Sequence, residues 1–263
     1  MGDYLGPYLL GPNDENQGIY TGDARELAKA IPDESVDLLI EDPPYGIGYA
    51  SSWKTRNGGG PRRYRASFGP DILNTAIVEH YSRVLKSSGA LYLFTRWDVL
   101  QIWRSAVESC GFSVKQRIVW NKSHWKMGDL KYYGSQTEDI LFCLKSRNHE
   151  LRWDKRGGNL WSSSSSAYLP EGQWDHPTQK PEAIIKRIVE NSSDAGDLVI
   201  DMHVGSGTVP AICKQLARRW LAFEIDPDTA EMARERVRNT QPPLPGLVTP
   251  EQQEMDLAVP ELA

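Results

Sequence analysis

From Gly18 to Asn239 the chain alternates short apolar runs with amphipathic segments, and this alternation restricts the fold more than any other feature. The runs "GIYTGD", "VDLLIEDPP", "GALYLFT", "FSVKQRIVWNK", "EDILFCLK", "DLVIDMHV" and "WLAFEID" are short, apolar and bounded by turn residues, which predicts strands. "ARELAKAI", "ILNTAIVEHYSRVLK", "DVLQIWRSAVESCG", "PEAIIKRIVENS", "TVPAICKQLARR" and "PDTAEMARERVRN" predict helices. In the second of these, Leu73, Ile77, Tyr81, Val84 and Leu85 recur at helical spacing. Strands alternating with helices imply an α/β fold, a mostly parallel sheet with helices on both faces.

With 263 residues, 40% of them hydrophobic, the chain can bury the core of one large domain. No apolar run approaches the roughly 18 residues of a membrane span, and "MGDYLGPYLLGPNDENQG" has no signal-peptide pattern, so a cytoplasmic protein without a membrane partner is expected. Cys110, Cys143 and Cys213 lie far apart among apolar neighbours and read as buried free thiols, with no metal site expected. The formal charge of −5 is unevenly placed. Residues 241–263 carry four acids, no base and five prolines, and read as an acidic tail outside a domain spanning residues 1–240. A loop over residues 50–69 carries Lys54, Arg56, Arg62, Arg63 and Arg65 without an acid, the kind of local patch that steers a polyanion. Residues 146–175 break the rhythm with bases, a five-serine run and Trp153, Trp161 and Trp174. They read as a loop-rich insertion with a contacting surface.

Two constellations carry chemistry. In "LLIEDPPYGIGY" the proline pair must end the apolar strand, because proline has no N–H to give a ladder. Asp42 and Tyr45 therefore stand at a strand's carboxyl end, where open α/β sheets bind ligands. In "DLVIDMHVGSGTVPAI", Gly205, Ser206 and Gly207 lie between a strand and a helix, where the backbone can approach a ligand closely. The next strand ends in Glu224, close to the spacing at which an acid accepts from ribose hydroxyls. The third glycine of a dinucleotide fingerprint is missing, which suits an adenosine ligand without a pyrophosphate better than NAD.

Together with "HPTQKP" at residues 176–181, these motifs resemble the amino-methyltransferases of DNA, which move the methyl of S-adenosylmethionine to adenine N6 or cytosine N4. The resemblance covers about residues 18–240. The order of motifs, D-P-P-Y first and the glycine loop late, is similar to the permuted β arrangement of that family. It implies a Rossmann-like methyltransferase fold with circularly permuted motifs, S-adenosylmethionine as cofactor, double-stranded DNA as partner, a second copy of the chain as a further one, and a place in restriction-modification. Met202 and His203 depart from it, standing where the family usually has Pro and Phe.

The resemblance implies roles residue by residue. Asp42 and the backbone carbonyl of Pro43, held by the Pro43-Pro44 unit, would accept the two N–H bonds of an exocyclic amine, favouring its pyramidal, nucleophilic form. Tyr45 would stack on a base flipped out of the duplex. Asp23 with Ala24 would meet the adenine edge of the cofactor, with Asp23 also capping the following helix. Glu224 would bind the ribose, and Thr178, Lys180, Asp42, Asp201, His203, Gly205, Ser206, Gly207 and Thr208 would surround the rest. DNA contacts are expected from Trp53, Arg62, Arg63 and Arg65 of the basic loop and from Arg147, Arg152 and Arg156 of the insertion, whose brevity implies a short or degenerate target. Asp at position 42, where cytosine-N4 enzymes more often carry Ser, favours adenine. Cytosine N4, RNA adenine and a non-catalytic regulator are the alternatives.

Overall fold

The computed structural model describes residues 4–46, 73–122, 133–151, 157–163 and 179–243. Its centre is an eight-stranded sheet of β3 (Ile19–Thr21), β4 (Val36–Glu41), β5 (Leu85–Thr95), β6 (Ser113–Asn121), β7 (Thr137–Leu144), β8 (Leu160–Ser162), β9 (Leu198–Asp201) and β10 (Arg219–Glu224). The strand order is β3-β10-β9-β4-β5-β7-β6-β8. β7 runs antiparallel to both of its neighbours, and every other pairing in the sheet is parallel. A two-stranded hairpin, β1 (Tyr4–Leu5) with β2 (Tyr8–Leu9), precedes it.

The central strands β4, β5 and β9 are apolar on both sides because both faces of the sheet are covered. One face packs on α4 (Glu182–Ser192), α5 (Thr208–Gln215) and α6 (Pro227–Asn239), burying Ile184, Ile188, Ile212 and Val237 against Leu38, Ile40 and Val199. The other packs on α1 (Ala24–Leu27), α2 (Ile77–Val84) and α3 (Leu100–Ser109), burying Tyr81, Trp103 and Val107 against Leu39, Leu91 and Ile200. At about 1.5–3 kcal/mol for each large apolar side chain removed from water, these two layers dominate the stability of the domain.

Three local expectations are modified. The helix expected from Ile72 begins at Ile77, after Asn74 accepts a hydrogen bond from the Ala76 amide at 3.1 Å, and stops at Val84 because Leu85 turns into β5. "ARELAKAI" gives only a four-residue α1 that tightens into a 3-10 turn over Ala28–Ala30, with Pro32 barring continuation. Inside the loop-rich insertion, β8 pairs parallel with β6, Trp120 opposite Trp161. Trp161 is therefore no contact surface: it is buried in the core, its indole stacked on the Arg187 guanidinium at 4.4 Å. Trp153 and Trp174 lie outside the described residues.

Candidate active site

β4 and β9 lie side by side, Leu39 opposite Ile200. From β4 the chain passes through α2 to β5 on one side; from β9 it passes through α5 to β10 on the other. Connections that diverge from adjacent parallel strands open a crevice at their carboxyl ends. Asp42 follows β4, Asp201 ends β9, Glu224 ends β10 and Asp23 follows β3, so four acids from separate parts of the chain line one edge.

Asp42 is held from two sides. The Tyr45 hydroxyl donates to its Oδ1, and the Lys180 ammonium donates to Oδ2 at 2.5 Å. Burial and the neighbouring Asp42 charge push the Tyr45 phenol well above its ordinary range, so the phenol stays protonated and remains a donor. Burial works against the charge on Lys180, yet Asp42 and Glu138 outweigh it and raise its pKa, so the ammonium persists. Lys180 also lies 3.6 Å from Glu138 Oε2, and Glu138 Oε1 accepts from Lys122 at 3.1 Å. Pro43 is buried and Pro44 exposed.

Behind Asp42 stands Glu41, completely buried. Its carboxylate accepts from the Tyr81 hydroxyl at 3.1 Å and the Met202 amide at 3.2 Å, and lies 3.1 Å from His203 Nδ1. Burial raises the Glu41 pKa, while His203, the Met202 amide and Tyr81 pull the other way. Glu41 thereby ties the strand that carries Asp42 to the loop that follows β9. Asp201 Oδ1 accepts from the His203 amide at 3.0 Å, and burial together with the charge of Glu41 pushes its pKa well up. In the glycine loop, Gly205 and Gly207 have φ of 50° and 76°. The Gly205 amide donates to Glu224 Oε2 and the Asp226 amide to Oε1, both at 3.0 Å. Burial raises the Glu224 pKa against these two amides.

The donor set fits S-adenosylmethionine. A sulfonium and an ammonium are cations, and a sheet edge that carries Asp42, Asp201 and Glu224 favours them. A ribose diol needs a carboxylate acceptor, and Glu224 ends its strand beside a loop whose left-handed glycines bring backbone close.

Residues 36–235 match the N6/N4 methylase family, described as DNA methylase. The DNA adenine methyltransferase YhdJ of Escherichia coli (strain K12) is 31% identical over 258 residues, covering 85% of this chain and 83% of that protein. The chain belongs to this DNA methylase family. In solved structures, the M1.HpyAVI–SAM complex has a TM-score of 0.63 at 21% identity, covering 83% of this chain and 98% of that one. The PvuII DNA methyltransferase, titled cytosine-N4-specific, has a TM-score of 0.64 at 18% identity, covering 83% and 85%. At those identities the likeness concerns the fold.

In this methylase, Asp42, Tyr45, Lys180, Asp201, His203, Glu224 and the glycine loop come together at one edge of the sheet. Lys180, expected beside the methionine part of the cofactor, has Asp42 as its nearest charged partner. Asp23 caps α1 as expected, but Arg25 engages both of its oxygens, Oδ1 at 3.0 Å and Oδ2 at 2.5 Å, and holds its pKa down. Oδ1 takes both the cap and Arg25 Nε, which leaves the second lone pair of Oδ2 for a further donor. Ala24 is buried behind it. Ser206 and Thr208 are buried too, their hydroxyls 3.2 Å apart. Arg147 is exposed at the opposite edge: β7 runs backwards, so the chain leaves it beside Ser87, whose carbonyl accepts from Ser146 at 2.7 Å. Trp53, Arg62, Arg63, Arg65, Arg152, Arg156 and Thr178 lie outside the described residues. Gly46 and Leu73, the described residues nearest the basic loop on either side, lie against each other next to Tyr45: a Cβ on Gly46 would lie 2.9 Å from Leu73.

Sequence reasoning missed five groups. Glu41 was absorbed into a hydrophobic strand. Arg236, 2% exposed, donates to the Ser206 carbonyl at 3.1 Å, Thr208 Oγ1 at 2.9 Å and Glu182 at 2.8 Å, clamping the glycine loop onto α6. Lys122 and Glu138 were read as strand ends. Trp97, 74% exposed just past β5, stands on the catalytic edge next to Arg96, whose charge pulls the Tyr45 pKa down. An acid inside an apolar strand and a base inside a helix's buried stripe are the signals that could have found the first two.

Proposed function

We propose that this methylase transfers the methyl group of S-adenosylmethionine to N6 of an adenine rotated out of a DNA duplex, and that it is of the permuted, D-P-P-Y type. The observation that carries the reading is Asp42 at the divergence of β4 and β9, with a part-buried Tyr45 on one oxygen and the acid-edged glycine loop beside it. Support for adenine comes from Asp at position 42 and from the E. coli adenine methyltransferase named above.

The methyl donor, when bound, supplies a methyl group already activated on sulfur. Glu224 would hold its ribose, Asp23 and Ala24 its adenine edge, and Asp201, His203, Gly205, Ser206, Gly207 and Thr208, together with Thr178, its amino-acid side. The Asp42 carboxylate and the Pro43 carbonyl accept the two N–H bonds of the target amine, so the nitrogen lone pair faces away from them. Asp42 is a hydrogen-bond acceptor here, and the Lys180 ammonium, kept charged, cannot serve as a base. Tyr45 offers its ring face to the base while its hydroxyl orients Asp42. The protein's contribution is placement and electrostatics, with no covalent enzyme intermediate.

The test is direct. Incubation with labelled S-adenosylmethionine and either duplex DNA or RNA, followed by digestion and mass analysis, should give N6-methyladenine from DNA in a short sequence context. N4-methylcytosine, or labelled nucleosides from RNA alone, would overturn it.

A further inference from the structure

Each oxygen of Asp42 already accepts a hydrogen bond, so an incoming amine meets groups seated there before it. Tyr45 takes Oδ1, and Lys180 takes Oδ2 at 2.5 Å, shorter than the about 2.7–2.9 Å usual for a charge-assisted N–H···O bond. The Lys180 side chain is only 11% exposed and its ammonium lies 5.3 Å from the centre of the Phe94 ring. Pulling it off Asp42 with nowhere to go would leave a buried charge without a partner, which is strongly unfavourable. A second carboxylate already shares the same ammonium. Glu138 Oε2 is 3.6 Å from the same nitrogen, less than about one ångström beyond a charge-assisted hydrogen bond. Its other oxygen is fixed by Lys122, itself 8% exposed, so Glu138 points Oε2 toward Lys180. The four groups come from the residues just after β4 and β6, from β7 and from the segment before α4, and alternate in sign: Lys122, Glu138, Lys180, Asp42.

We infer that Glu138 is a positioning residue that receives the Lys180 ammonium when the target amine enters, releasing Asp42 Oδ2 to accept an N–H of the base. Free enzyme keeps Asp42 neutralised and oriented; the base replaces Lys180, and Lys180 exchanges one carboxylate for another without losing a charge partner. This rests on the reading of Asp42 as the amine's acceptor.

The test is a double-mutant cycle in single-turnover methylation at saturating cofactor and duplex DNA, on the sequence context that the labelling experiment identifies. Glu138→Gln should slow methyl transfer about tenfold or more. In a Lys180→Met background, with no ammonium to hand over, the same change should cost less than about twofold; equal losses in both backgrounds would overturn the inference in favour of a merely structural Glu138. A binding readout stands beside it. With S-adenosylhomocysteine present, Glu138→Gln should weaken binding of the adenine duplex but not of one carrying purine, which lacks the amino group, at the target position. Equal weakening of both duplexes, or of neither, also overturns it, and retained binding of the purine duplex shows that the variant is folded. Asp42→Ala is measured alongside: it should lose about a hundredfold in rate, a far larger factor than its loss in cofactor affinity. If Asp42→Ala keeps more than a tenth of the rate, the reading of Asp42 itself fails; if it is inactive while the cycle is additive, only the hand-over fails.

Discussion

Asp201 is buried at 6% exposure beside Glu41, and both carboxyls have their pKa pushed up by burial, as does Glu224. A folded carboxyl that holds its proton to higher pH than the unfolded chain stabilises most below the ordinary carboxylate range. That stability is lost as pH rises through the folded value. The cofactor-free enzyme should therefore become less stable as pH rises from the acid side toward neutrality, and the bound cations of the cofactor should offset the loss. Asp201→Asn keeps the oxygen that accepts from the His203 amide and removes the charge. Its melting temperature without cofactor is expected to exceed the parent's by about 2–4 °C at neutral pH, the shift of about 1 kcal/mol in a domain of this size. The gap should close toward acid pH while cofactor affinity falls at neutrality. Thermal denaturation followed by circular dichroism across that range checks it, and a gap independent of pH would contradict the assignment.

At the site, the turn between β9 and α5 limits substitution. Gly207 has a φ of 76°, and a Cβ there would sit 3.0 Å from both Cα and Cβ of Ala233 on α6. α6 approaches so closely because Arg236, one turn along it, reaches over the loop to Ser206 and Thr208. Gly207→Ala combines a left-handed backbone, about 1–2 kcal/mol for a residue with a Cβ, with a contact that only a shift of α6 relieves. Expected outcomes are a melting temperature lower by several degrees and cofactor affinity reduced about tenfold, read by calorimetry. Unchanged affinity would mean that the loop backbone does not approach the ligand.

Across the whole molecule the carboxyl edge presents a conflict of charge, since acids that suit a cationic cofactor repel DNA. Neutralisation must come from segments that leave that edge and return to it. Gly46 and Leu73, which bound residues 47–72, lie together at that edge, and Lys122 follows β6 and Tyr133 precedes β7 at the same edge. Arg147 lies on the far edge. Replacing Arg62, Arg63 and Arg65 with Ala should weaken binding to all DNA sequences alike and reduce the slope of log affinity against log salt by up to about three units. An unchanged slope, measured by titration at several salt concentrations, would exclude the loop from phosphate contact.

The strands and helices, Asp42 at a strand end and the glycine loop were legible in the sequence because periodicity, proline and glycine act within a few residues of themselves. The partners of these groups were not. That β7 runs backwards decides that Glu138 faces the site and Arg147 does not. That β4 lies against β9 decides that Glu41, unremarkable in an apolar run, meets Met202 and His203. Parallel pairing with β6 turns Trp161 from an expected contact surface into core. Lys180 reaches Asp42 across 138 positions, and Arg236 reaches Ser206 across 30. Strand direction, neighbour and register set these meetings, and each is chosen by the burial of the whole sheet, a sum over residues too distant in the chain for any local pattern to record.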